Sequence, residues 1–115
     1  MITLFGLKNC DGCKKALSWC HENGLEALIH DFKKDGLSEP QLERWISVCT
    51  IEKIVNKRGT TWRKLSKDQQ SMIEDPAAAL ALVLENSSLI KRPIVEANGQ
   101  VFIGFDEACK SALIS

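Results

Sequence analysis

The opening stretch "MITLFGLKNCDGCKKALSWC" holds Cys10 and Cys13, two residues apart, followed by Lys14 and Lys15. A C-x-x-C pair can exchange disulfides, supply half of a metal site, or pack as inert thiols. Its surroundings favour the first. Ile2 to Gly6 has strand character, and from about Asp11 to Asn23 the residues Cys13, Ala16, Leu17 and Cys20 recur at the spacing of a buried helical stripe. Cys10 then sits at the end of the loop after a strand, and Cys13 in the first turn of a helix. A helix N-terminus directs free N–H groups and partial positive charge at the Cys10 sulfur. Lys8, Lys14 and Lys15 add to that field and Asp11 opposes it. The Cys10 pKa is expected well below the free value of about 8.5, which makes Cys10 the nucleophile. Cys13, on the inward stripe, is placed to attack a mixed disulfide on Cys10 and release a reduced partner.

Cys10, Cys13, Cys20 and His21 are also zinc-type ligands. On one helix, however, Cys13 and Cys20 stand two turns apart, about 10 Å. Zinc–sulfur bonds of about 2.3 Å do not bridge that gap, and a second C-x-x-C is missing, so no metal is expected. Cys20 and Cys109 fall on apolar helical faces and read as small buried hydrophobes. Cys49 closes a helix and is open to either reading. His21 and His30 are isolated and read as ordinary histidines.

The elements that must position the cysteines follow from local signals. Leu25 to Phe32 reads as a second strand, completing a βαβ unit with Gly24 as the helix stop. Ser38 with Gln41, and Ser66 with Gln69, are capping boxes that open helices. Asp75-Pro76 is an N-cap followed by proline, opening the largely buried helix "AAALALVLE". "PIVEA" and "VFIGF" read as strands joined by Asn98-Gly99-Gln100, an Asn-Gly hairpin signal, and Asp106 caps a last helix. The order is βαβ, a helical insertion at about 37–90, then ββα. This predicts an α/β, thioredoxin-like mixed four-stranded sheet, built as a single domain over residues 1–115.

In a thioredoxin-type sheet the proline that opens the hairpin faces the cysteine loop, so a cis peptide is expected between Arg92 and Pro93. The Pro93 backbone can pair with an extended thiol substrate, and Arg92 can hold an oxyanion or carboxylate in a bidentate grip. The bland alternative is a trans proline at an edge strand with a solvated arginine. "NKRGTTWRKL" places Arg58 and Arg63 around Trp62. It reads either as a solvated basic loop anchored by Trp62 or as a source of an active-site anion contact from Arg58.

Fifteen basic and fifteen acidic residues balance, which gives no global case for nucleic acid or an anionic membrane. The longest apolar run, Ala77 to Leu84, is too short to span a bilayer, and no signal peptide is visible. Five cysteines in a chain able to fold without them indicate reduced thiols and a cytoplasmic location.

"MITLFGLKNC", "HDFKKDGLS", "NKRGTTWRKL", "LIKRPI" and "GFDEA", in that order from Ile2 to about Leu113, resemble the arsenate reductase (ArsC)/Spx family, and within it the small YffB-type reductases. The resemblance implies Cys10 as nucleophile, Arg92 before a cis-proline, and a further arginine at Arg58. Lys8, in the cysteine loop, and Pro93 join Arg58 as substrate-binding candidates. It also implies glutathione as co-substrate, no bound cofactor, and an anionic or disulfide substrate. Arsenate reductases of the family carry a third anion-binding arginine near the last strand. Here that region reads "FIGFDEACK", which weighs against arsenate. Spx-type regulators share the C-x-x-C and bind the C-terminal domain of the RNA polymerase α-subunit. The glycine associated with that contact has no counterpart between Cys49 and Val55, which weighs against the regulator while leaving it the alternative.

Overall fold

A computed structural model describes residues 1–114. They fall into two compact units, one formed by residues 1–36 with the segment from Arg92 onward, the other by Leu37–Lys91.

The first unit is a mixed four-stranded sheet in the order β2-β1-β3-β4. Its strands are β1 (Ile2–Gly6), β2 (Ala27–Asp31), β3 (Ile94–Ala97) and β4 (Gln100–Ile103). β1 runs parallel to β2, with Ile2 opposite Ala27 and Gly6 opposite Asp31. It runs antiparallel to β3, which pairs antiparallel with β4. The parallel pair needs a crossover, supplied by α1 (Asp11–Glu22). The antiparallel pair needs only a tight turn, and Asn98 and Gly99 provide it with φ of 50° and 79°. This is the thioredoxin-like sheet expected from the order of elements. Ile2, Leu4, Ala16, Cys20, Val95, Ala97 and Cys109 form a core on one face, uniting β1, β3, α1 and α2 (Glu107–Ile114), the helix capped by Asp106.

The second unit is mainly helical, with an antiparallel bridge between Val55 and Ile90. Its main helices are α3 (Glu39–Val48) and α4 (Pro76–Glu85), with short turns between them at Ile51–Ile54, Thr60–Lys64 and Lys67–Ser71. The Ser66–Gln69 capping box forms in full, and Asp75 accepts from the Ala78 amide at 3.0 Å. Trp45, Leu42, Ile54, Leu82 and Leu89 are among its fully buried large side chains. The helix "AAALALVLE" differs from expectation. Ala79, Leu82 and Val83 are buried, while Ala77 and Ala81 face solvent, because alanine costs little to expose and sustains the helix. No helix among the described residues is long and apolar enough to cross a membrane.

Candidate active site

Cys10 is the N-cap of α1, in an extended conformation that turns the chain from loop to helix. Its amide donates to the Leu7 carbonyl at 3.1 Å, and its carbonyl accepts from the Lys14 amide at 3.0 Å. The sulfur is therefore held at the head of the helix, half-buried. Partial burial raises its pKa. The Cys13 amide, the Cys13 thiol, the Arg92 charge and the Gly12 amide outweigh that and hold Cys10 below the ordinary thiol range.

Cys13 is fully buried on the inward stripe. Burial pushes its thiol up to about 11, even though the Leu7 amide and the Arg92 charge pull the other way. Its S–H donates to the Cys10 sulfur, so the two thiols are in contact and unequal. One is disposed to ionise, the other to stay protonated. Gly6, at the end of β1, makes room for this: a β-carbon there would overlap Cys13 Sγ and lie 3.6 Å from Arg92 Cβ.

The Arg92–Pro93 peptide is cis, and the Pro93 carbonyl accepts from the Gly104 amide at 2.9 Å. Arg92 and Pro93 line an open groove of about 620 Å³ whose other wall is α1, including Gly12, Lys14, Lys15 and Trp19. Sequence reasoning did not assign Trp19, Phe105 or Lys110 to this site. Phe105 comes from the loop after β4 and Lys110 from α2, more than eighty residues from Cys10 and Cys13, and no local pattern links them.

Lys8 is exposed, and its backbone amide donates to Asp31 Oδ2 at 3.0 Å. Asp31 was not anticipated either. Its only sequence signal is the Asx-turn pattern at Asp31-Phe32-Lys33. Arg58 lies in the helical unit, exposed, its amide donating to Asn56 Oδ1 at 3.1 Å. In the same unit Trp62 is half-buried, with the Lys57 ammonium 5.6 Å from its ring centroid. Cys20 and Cys109 are buried in the sheet core, where burial raises both thiols, Cys109 to about 11. No group of three or more potential metal ligands gathers among the described residues.

The model of the ArsC family matches residues 5–112. The chain belongs to the ArsC family. An uncharacterized protein of Haemophilus influenzae is 42% identical to this ArsC-family chain, over 93% of each. The global transcriptional regulator Spx of Streptococcus mutans is 29% identical over 93% of the chain and 78% of its own length. Among solved structures, the YFFB protein superposes with a TM-score of 0.91 at 35% identity, covering all (100%) of both chains. An arsenate reductase (ArsC) related protein from Brucella melitensis does so with a TM-score of 0.77 at 40% identity, over 96% and 92% of the two chains.

Proposed function

We propose that the protein is a cytoplasmic, glutathione-dependent reductase of disulfides or of a small oxyanion, with Cys10 as its nucleophile. One observation carries this reading: a thiol poised to ionise touches a thiol held protonated, beside Arg92 and a cis-proline. The Cys10 thiolate attacks one sulfur of a substrate disulfide, and the other sulfur leaves as a thiolate that takes up a proton. Cys13 loses its proton and attacks Cys10 Sγ, forming the Cys10–Cys13 disulfide and releasing the second thiol. Two glutathiones then reduce that disulfide and leave as glutathione disulfide. Arg92 holds the anionic part of the substrate, the Pro93 backbone aligns it, and Lys8 adds positive charge.

Intact mass after mixing reduced protein with glutathione disulfide tests this, in wild type and Cys13→Ser. Loss of two hydrogens in wild type, with a stable glutathione adduct in the variant, is the expected result. An adduct in both assigns resolution to glutathione and removes Cys13 from the mechanism. No change in either overturns the reading.

The relatives named as global transcriptional regulators favour a second reading, in which the cysteine pair switches binding to the C-terminal domain of the RNA polymerase α-subunit. Titration of that domain against oxidised and reduced protein separates the two. Absence of binding in both states excludes the regulator.

A further inference from the structure

The groove extends far beyond what sulfur exchange needs. Along α1 it runs from Gly12 to Glu22, a length of about 15 Å at about 1.5 Å per residue. Its distal end is a shelf of Trp19 and Phe105, packed edge-to-face with centroids 5.3 Å apart. The Lys110 ammonium lies 6.0 Å from the Trp19 centroid and 5.6 Å from that of Phe105. Among its charged lining residues, Lys14, Lys15, Lys110 and Arg92 face a single carboxylate, Glu22. Lys110 is paired to Glu107 at 3.5 Å, but the Glu107 side chain is 90% exposed, so an incoming carboxylate can take its place.

We infer that the distal groove recognises an acidic peptide segment next to the disulfide of a protein substrate. Trp19 and Phe105 receive one of its side chains, and Lys110 and Lys15 hold its carboxylates. The positive lining selects acidic over basic segments by charge complementarity. The inference rests on the reductase reading for its purpose, but binding can be measured without turnover.

Fluorescence anisotropy of a fluorescein-labelled glutamate-rich peptide, and of its lysine-rich counterpart, is followed on the Cys10→Ser protein. The acidic peptide is expected to bind roughly 10-fold more tightly, and the advantage shrinks as salt is raised. Lys110→Gln should weaken acidic-peptide binding about 3-fold and Lys110→Glu about 10-fold, with thermal melts confirming that both variants fold. Equal affinity for the two peptides, or indifference to both Lys110 substitutions, overturns the site. Disulfide-linked versions of the peptides are then offered to the wild-type enzyme. Selective binding without reduction defeats the reductase reading and leaves the docking site standing. Reduction with no preference for the acidic form does the reverse.

Discussion

The Lys8 amide donates to Asp31 Oδ2 at 3.0 Å, joining the cysteine loop to the end of β2 across 23 residues. The other carboxylate oxygen accepts from the amides of Lys33 at 2.8 Å and Lys34 at 3.2 Å. Asp31 lies opposite Gly6 in the parallel pair, so its carboxylate sits where the chain leaves β1 for Cys10. One nearly buried side chain, 8% exposed, thus fastens the segment that delivers the reactive sulfur. The groups joined are backbone amides, so neighbouring side chains can vary while the latch persists.

That latch predicts an acid-dependent loss of stability. The Lys8 amide does most to hold the Asp31 carboxyl below its ordinary value; burial opposes it, and the Lys33 and Lys34 amides and the Lys8 charge assist. A depressed carboxyl contributes stability above its unfolded pKa of about 3.9, and the contribution disappears as pH falls through the lower folded value. Urea midpoints measured from neutral pH downward should fall more steeply in wild type than in Asp31→Asn. Asp31→Ala, which removes all three acceptor contacts, should lower the melting temperature at neutral pH. Equal slopes for wild type and Asp31→Asn would show that the carboxylate charge plays no part.

The two active-site thiols should separate in their reactivity. Peptide-resolved alkylation with iodoacetamide should give a Cys10 midpoint below the free value of about 8.5, while Cys13 reacts only at much higher pH, consistent with its value of about 11. Arg92→Ala should raise the Cys10 midpoint, because a lowering charge is lost. A Cys10 midpoint above that of a free cysteine would contradict the activation described here.

Position 6 tolerates little beyond hydrogen. Gly6→Ala places a methyl group against Cys13 Sγ and should cost about 1–3 kcal/mol by overpacking. Cys13→Ala removes the opposing sulfur, so the double variant should recover much of that loss. The denaturation midpoints of the four proteins form a double-mutant cycle, and strict additivity would show that the two sites do not touch.

Asp106 governs the helix that carries Lys110. Its carboxylate accepts from the Cys109 amide at 2.9 Å, satisfying a donor at the start of α2. Asp106→Ala should destabilise the protein by about 1 kcal/mol, read as a shift in the urea midpoint without change of slope. Asp106→Ser, able to cap through its hydroxyl, should restore most of it.

Much of this molecule is legible locally. The periodic stripe through Cys13, Ala16 and Cys20, the Ser66–Gln69 box and the Asn98-Gly99 turn all formed as their patterns require, because each depends on residues a few positions apart. Cys10 at the helix N-terminus and the cis bond before Pro93 followed from the same order of elements. Strand ends were less legible. β4 stops at Ile103, where Gly104 takes a φ of 86° and turns the chain, although the apolar run continues to Phe105.

From sequence alone came the family-bearing motifs, the order of elements and the asymmetry between a cap thiol and a stripe thiol, since these rest on spacing along one chain. Only the tertiary structure brought Asp31 to Lys8 and set Gly6 against Cys13. It alone placed Phe105 and Lys110 beside Trp19. Each of these contacts joins elements distant in sequence, and strand pairing and helix packing, not local propensity, decide which of them meet.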